Sequence, residues 1–536
     1  MLALLALAVP VVQGVSQPMT TTDERQDPAL APPPILTSHL EQYAEDRRIF
    51  QGIPGLERAA NGRLWATWYG GGPTEGPWNY VMLVTSEDDG KTWSGLRMVI
   101  APPGDVRAFD PCLWIDPEGH LWLFWAQAWE LWDGRGGVWA MSCPNPEEAS
   151  PAWSAPRRLC NGIMMNKPTA LSTGQWLLPA AVWPHAPHPR DPARRFDLGE
   201  EKRSNVVGSR DQGQTWELLG GADVPGRACD EHMVVELGDG RLWMLVRTGY
   251  GVGQSFSSDG GHTWSPGGPS WIPHIPAARF LIRRLSSGKL LLVKHTPPDG
   301  KTRAHLTAHL SADDGRCWYG GLLLDERAGV SYPDGVQAPD GTIYLIYDYS
   351  RQGEKQILMA TFTEEDVAAE ADVSGKVRLR VLVNQATGVA PVQERRLASN
   401  EDGKELPTGS GAQVSLEGGQ SDKLVPGVRL FTDRQYQAAK LPPELDGCEF
   451  IRASLEGSGG VCEEAGVAYV LTPLPERNRD SIELGLRRQG FDKARLPEFQ
   501  LFDSSEGNIV SVFHKRLERG EKVELGKWGV LVLPGR

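Results

Sequence analysis

The sequence predicts an all-β chain: six consecutive antiparallel units, followed by a separate and mostly β region. Two interleaved repeats and the composition carry this reading. The first repeat is a glycine turn running into an apolar strand: Asn61-Gly-Arg-Leu-Trp-Ala-Thr-Trp, Glu118-Gly-His-Leu-Trp-Leu-Phe-Trp, Thr173-Gly-Gln-Trp-Leu-Leu-Pro, Asp239-Gly-Arg-Leu-Trp-Met-Leu-Val, Ser287-Gly-Lys-Leu-Leu-Leu-Val and Asp340-Gly-Thr-Ile-Tyr-Leu-Ile-Tyr. Its glycines, at 62, 119, 174, 240, 288 and 341, are spaced by 57, 55, 66, 48 and 53 residues. The second repeat, Ser-x-Asp-x-Gly-x-Thr-Trp, begins at Ser86, Ser209, Ser257 and Ser311, with Cys317 in place of Thr in the last copy and a remnant ending at Trp153. The composition agrees: 61 Gly and 41 Pro in 536 residues require frequent turns, and 19 Trp suit many packed strand edges.

Taken in order, the chain opens on an apolar, uncharged run from Met1 to Gly14. It is too short to span a bilayer and has the length of a signal-peptide core, so residues 1–20 are expected to direct an extracytoplasmic (secreted or periplasmic) location. No later stretch is apolar enough for a membrane span. Each glycine turn follows a short extended segment, such as Met233-Val-Val-Glu-Leu, and so closes a hairpin. In the second repeat the Asp can accept bonds from turn amides, Gly takes the positive φ, and Trp covers the turn. After about Val377 the character changes. Short strands such as Lys376–Val383, Gly466–Leu471 and Gly529–Leu533 surround a Ser/Gly-rich stretch, Ser399–Ser421, without either repeat. The predicted organisation is repeats over 45–375, a linker at 376–410 and a β-rich accessory domain at 411–536, with a carbohydrate-binding or a packing role.

Net charge is −13, which argues against nucleic acid, because nothing here would release counterions from a phosphate backbone. Seven Cys lack CxxC or zinc spacing; Cys448 and Cys462 could form a local disulfide or remain buried thiols. No metal and no organic cofactor are expected. His185 and His188, in the insertion that stretches the third spacing, read as loop residues.

The second repeat resembles the Asp-box, or BNR repeat, of the sialidase superfamily. The resemblance, from about Phe50 to Phe362, implies a six-bladed β-propeller with the boxes structural and on the turn between third and fourth strands. In such a ring the starts of first and third strands and the ends of second strands share one mouth. Polar residues there include Asp230, Glu231 and Arg247; Arg279 and Arg303; Tyr332, Tyr349 and Arg351; Gln51, Glu75, Trp78 and Asn79; and Arg107, Asp110, Asn166 and Lys167. Blades are expected to begin near Phe50, Asp110, Asn166, Glu231, Phe280 and Tyr332.

The segment from Glu231 to Arg247 is similar to the one that carries the sialidase catalytic glutamate and a carboxylate-binding arginine. Arg303 falls where another such arginine belongs, and Ser331-Tyr332 resembles the nucleophile segment. The resemblance implies a retaining exo-glycosidase acting on glycans with an acidic terminal sugar. Tyr332 would attack the anomeric carbon, Glu231 would take its proton, and Arg247 and Arg303 would grip the carboxylate. Two departures stand out. The expected Arg-Ile-Pro reads Gly52-Ile53-Pro54 after Gln51, and the acid/base aspartate is missing, leaving Glu75 or Asp110 for that role. Arg107, Gln51 and Lys167 complete the candidate substrate-binding set, with Arg107 as a possible replacement charge. Two alternatives are a hydrolase or lyase for another acidic sugar, such as a uronic acid, and a non-catalytic glycan-binding propeller.

Overall fold

The computed structural model describes residues 27–272, 276–388, 404–407, 409–439, 441–474, 481–502 and 509–535. The expected signal segment lies outside them. The chain divides into two compact units, 1–390 and 391–536.

Among the described residues the first unit contains six antiparallel sheets, each made of strands consecutive in sequence. Their inner strands are Phe50–Arg58, Val106–Ile115, Thr169–Ala170, Met233–Glu236, Leu281–Arg284 and Val330–Gln337. Every inner strand is joined to the second strand of its sheet by one of the six glycine turns. In each, the glycine amide donates to the carbonyl three residues earlier, as Gly240 does to Leu237 at 2.9 Å, with φ of 81°. That positive φ is why glycine recurs there. The second sheet begins at Val106 rather than Asp110, because Asp110-Pro111 sits inside the strand at a break in register between Phe109 and Cys112. A bulge of this kind lets a strand keep a proline.

The four intact boxes occupy one site type. Ser86, Ser209, Ser257 and Ser311 each end the third strand of a sheet, and the fourth strand follows. In the third copy, Ser257 Oγ donates to Asp259 Oδ1 at 2.8 Å and accepts from the Gly261 amide at 2.9 Å. Asp259 in turn accepts from the Thr263 amide at 2.9 Å. Cys317 retains the last of these through its own amide, at 2.8 Å from Asp313. Ser257 is 2 % exposed, and Ser257→Ala removes its bonds while leaving the Gly261 amide buried. Urea denaturation is expected to show a loss of about 1 kcal/mol; an unchanged midpoint would count against this role for the box.

Successive sheets pack face to face. Trp65 and Leu83 meet Leu121 and Leu123 between the first and second, and Trp114 and Trp122 meet Trp176 between the second and third. The sixth sheet packs on the first, with Tyr344, Ile346 and Met359 against Leu56, Trp68 and Met82. The boundaries are wider than expected. Ile35–Leu36 pairs with Met98–Ile100 on the outer edge of the first sheet, and Arg378–Gln385, placed by the sequence reading in the linker, is the outer strand of the sixth.

The innermost residues of all six sheets are tied by polar contacts. Lys167 Nζ donates to the carbonyls of Leu56 and Leu113, both at 2.6 Å, and pairs with Glu57 at 2.9 Å and Asp334 at 3.2 Å. Arg279 donates to Asn166 Oδ1 at 2.6 Å and lies 3.7 Å from Asp334. Asn166 donates to the carbonyls of Glu231 and His232, at 2.7 and 3.0 Å. Burial works against the Lys167 charge, but Asp334 and Glu57 outweigh it and raise its pKa.

The described residues of the second unit form a seven-stranded sheet and a three-stranded sheet from Gln413–Leu416, Ser458–Glu464 and Lys522–Leu525. Val414, Cys462 and Val523 of the smaller sheet pack with Val470, Phe513 and Leu531 of the larger. Cys448 and Cys462 are separate thiols.

Candidate active site

Tyr332 follows from a local irregularity in the inner strand of the sixth sheet. Register with the neighbouring strand breaks between Ser331 and Asp334, and Tyr332 has φ of 54° immediately before Pro333. A bulky residue in this region costs about 1–3 kcal/mol and persists only where its surroundings impose it. The same break recurs at Gly52–Gly55, where Ile53 has φ of 57° before Pro54, and at Asp110, with φ of 48° before Pro111. Three sheets thus present a kinked residue followed by proline near the start of the inner strand.

Glu231 is held by a different device. Cys229, Asp230 and Glu231 have φ values of 54°, 49° and 44° in succession. Arg227 fixes this turn by pairing with Asp230 at 2.8 Å, and Asn166 holds the Glu231 carbonyl. The result is a direct contact: the Tyr332 hydroxyl donates to Glu231 Oε1 at 3.1 Å. Arg247, near the end of the second strand of the same sheet as Glu231, donates to that oxygen at 2.5 Å. Glu231 Oε2 is buried without a partner among the described residues. Burial, and then the Glu231 charge, raise the Tyr332 pKa, while Arg247, Arg351 and Arg303 pull it down. Arg303 lies 5.7 Å from the Tyr332 ring centre and donates to Ser331 Oγ at 3.2 Å and to the Ala277 carbonyl at 3.0 Å.

The two carboxyl candidates for acid/base work have different surroundings. Asp110 is 3 % exposed, and burial pushes it up to about 8; the charges of Glu75 and Glu231 add to this while Arg107 opposes it. Burial thus favours its protonated form. Glu75, on the loop between the second and third strands of the first sheet, accepts from Arg351 Nη1 at 3.0 Å. The loop is tied by Asn79, whose side chain bonds the Gly76 amide at 2.7 Å and the Thr74 carbonyl at 3.1 Å.

Two of the expected substrate-binding residues are placed elsewhere. Gln51 is wholly buried. Its oxygen accepts from Arg48 and Trp68, both at 3.0 Å, and its amide donates to the Lys355 carbonyl at 2.7 Å. Lys167 is saturated by the two carbonyls and two carboxylates described above. Neither has a donor to spare. Arg107, 1 % exposed, donates to the Leu131 carbonyl at 2.6 Å and stacks on Phe109 at 3.5 Å. Its Nε and Nη1 are buried without a partner among the described residues, and its charge opposes the rise in pKa of Asp110 and of Tyr69. Arg351 lies beside the tyrosine, with its guanidinium carbon 5.2 Å from the Tyr332 ring centre. The sequence placed Arg351 at this mouth without giving it a role; its position two residues beyond the strand Ile343–Tyr349 was the available signal.

Residues 62–345, more than half of the chain, match the model of the BNR repeat-like domain. This chain belongs to that family. No curated protein matches the BNR repeat-like chain in sequence. Among solved structures it is similar to a Hadza microbial sialidase, with 18% identity and a TM-score of 0.48 over 60% of this chain and 67% of the other. It is also similar to the intramolecular trans-sialidase from Ruminococcus gnavus, with 14% identity and a TM-score of 0.47 over 61% and 97% of the two chains. A third is the alpha-L-arabinanase of Penicillium chrysogenum, with 14% identity and a TM-score of 0.43 over 63% and 98%.

Proposed function

We propose that this BNR repeat-like protein is an exo-acting retaining glycoside hydrolase of sialidase type, built on a six-bladed propeller. It releases a terminal acidic sugar, sialic acid or a related one, from glycans. The packing of the sixth sheet on the first, and the polar ties among all six inner strands, support the ring. The observation that carries the function is the Tyr332 hydroxyl bonded to Glu231 at 3.1 Å, with the Arg247, Arg303 and Arg351 charges around it. A phenol is a suitable nucleophile beside an anionic sugar, because it is neutral until it reacts. It needs a base, since its unassisted pKa is near 10.

In this mechanism Tyr332 Oη bonds to the anomeric carbon as the glycosidic C–O bond breaks, and the phenolic proton passes to Glu231. Asp110 gives its proton to the departing oxygen. The ionised Asp110 then takes a proton from water, which attacks the same carbon and displaces Tyr332. The tyrosine recovers its proton from Glu231, and two displacements leave the configuration retained. An extracytoplasmic location, where terminal sugars of glycans are accessible, fits this activity.

The test is sugar release from sialosides, uronides and neutral glycosides. Cleavage of an acidic glycoside with retention, and little of its carboxamide analogue, is expected; equal cleavage of both would refute the anionic substrate. The role of Asp110 gives a pH dependence of definite sign. The acid must be protonated, and it is so below about 8. Turnover of a substrate with a poor leaving group should therefore fall about tenfold per pH unit above that value. An activated aryl glycoside should show no such limb. Asp110→Asn should abolish the limb together with most activity on the poor leaving group; a limb that survives the substitution would return the role to Glu75.

A further inference from the structure

Gly52 has no side chain, and the space one would need is taken. A Cβ on residue 52 would lie 2.3 Å from Cδ and 2.6 Å from Cγ of Arg351, and 2.8 Å from Asp348 Oδ2. The aliphatic stem of Arg351 thus crosses from the sixth sheet over the inner strand of the first. Its guanidinium comes out 5.2 Å from the Tyr332 ring centre and 6.0 Å from that of Phe50. Asp348 anchors the crossing: its Oδ2 accepts from the Ile53 amide at 2.8 Å, on the strand the stem passes over. Burial works against the Arg351 charge, yet Tyr332, Asp348 and Glu75 outweigh it, so the group stays cationic.

Of the Arg351 fork, Nη1 alone is engaged among the described residues, and its partner is the carboxylate of Glu75 at 3.0 Å. That carboxylate shows what the fork accepts. We infer that Arg351 is a substrate-anion-binding residue of this site, brought in from the sixth sheet through the gap at Gly52, and that Glu75 is an internal carboxylate exchanged for the substrate's own. The inference rests on the acidic-sugar reading above and adds a residue and an exchange to it. A guanidinium suits the exchange because its planar fork can hold a carboxylate with two parallel bonds, of which Glu75 takes one. Glu75 is 35 % exposed in its side chain and belongs to a surface loop, so releasing it requires no change in the core.

Calorimetric titration of the full chain with a free carboxylated sugar, N-acetylneuraminate, and with its methyl ester separates the possibilities. Arg351→Met keeps the stem over Gly52 and removes the fork, and thermal denaturation checks that the variant folds. The expected result is about a 100-fold loss of affinity for the acid, with little change for the ester. Arg351→Lys should recover only a small part. Glu75→Gln, which removes the internal competitor, should bind the acid several-fold more tightly than the unaltered chain does. As a second route to the same point, Gly52→Ala should displace the stem and weaken acid binding in an otherwise native protein. If the unaltered chain prefers acid to ester and Arg351→Met keeps that preference, the inference is overturned while the acidic-sugar reading stands. If the unaltered chain shows no preference for the acid, that reading fails and the role of Arg351 fails with it.

Discussion

Tyr332→Phe is expected to lower turnover on the order of 10⁴-fold while the fold and sugar binding survive. The substitution deletes only the hydroxyl, and with it the hydrogen bond to Glu231 Oε1. Arg247 still holds that oxygen at 2.5 Å, so Glu231 is not left unpaired in the variant. Single-turnover kinetics would show the defect in the chemical step, and titration with an acidic sugar would show a nearly unchanged affinity. Glycosylation of Tyr332 should be detectable by mass spectrometry in the unaltered chain when a slow substrate is used. Near-normal turnover in the phenylalanine variant would end the tyrosine mechanism and leave Glu231 to act on water directly.

The second large effect concerns stability. Lys167→Met should destabilise the first unit by about 3–5 kcal/mol, the usual consequence of leaving buried charges without their partner. The side chains of Lys167, Glu57 and Asp334 are 3 %, 3 % and 1 % exposed, so water cannot take the place of the ammonium group. The carbonyls of Leu56 and Leu113 lose a donor as well. Urea denaturation followed by tryptophan fluorescence reads the change, since Trp68 and Trp125 are fully buried in this unit. A loss under about 1 kcal/mol would mean that Asp334 is held well enough by the Leu56 amide, at 2.9 Å, and by Arg279. With the expected loss, changing Asp334 to Asn in the same chain should recover part of it, because one of the two stranded carboxylates becomes neutral.

The contrast between Tyr332 and Lys167 shows how far a sequence of this kind can be read. Both stand before a proline near the start of an inner strand, and both are polar residues in an apolar setting. The periodic glycine turns and Asp-boxes are local: a fixed spacing, a positive φ and a side chain bonding its own turn need no knowledge of other sheets. The sheets and their order were therefore legible. Where a side chain points after a bulge is not local. Tyr332 meets Glu231 across 101 residues, whereas Lys167 turns to Glu57 and Leu56, about as far away in sequence. Gln51 departs from the sequence expectation for the same reason, because its partners Lys355 and Asn384 come from the other end of the repeat series. Arg378–Gln385 was assigned to a linker because an outer strand is largely exposed and can carry charges, as Arg378 and Arg380 do. Arg351 carried a position and no more, since the gap that admits it at Gly52 exists only once the sixth sheet lies beside the first.

The three kinks before Pro54, Pro111 and Pro333 have a consequence for how new chemistry could be installed. One backbone shape, repeated in the first, second and sixth sheets, supports an isoleucine, an aspartic acid and a tyrosine in turn. The shape is set by the proline and the lost register, so the residue before the proline is free to differ in kind. The kink is therefore a socket, and the sheets on either side are the frame that keeps it rigid. Ile53 already packs in one cluster with Phe50, Phe109 and Tyr332. In the first sheet the socket holds a hydrocarbon, which makes position 53 the place where a protein engineer could seat an additional acid, base or ligand-reading group without redrawing any loop.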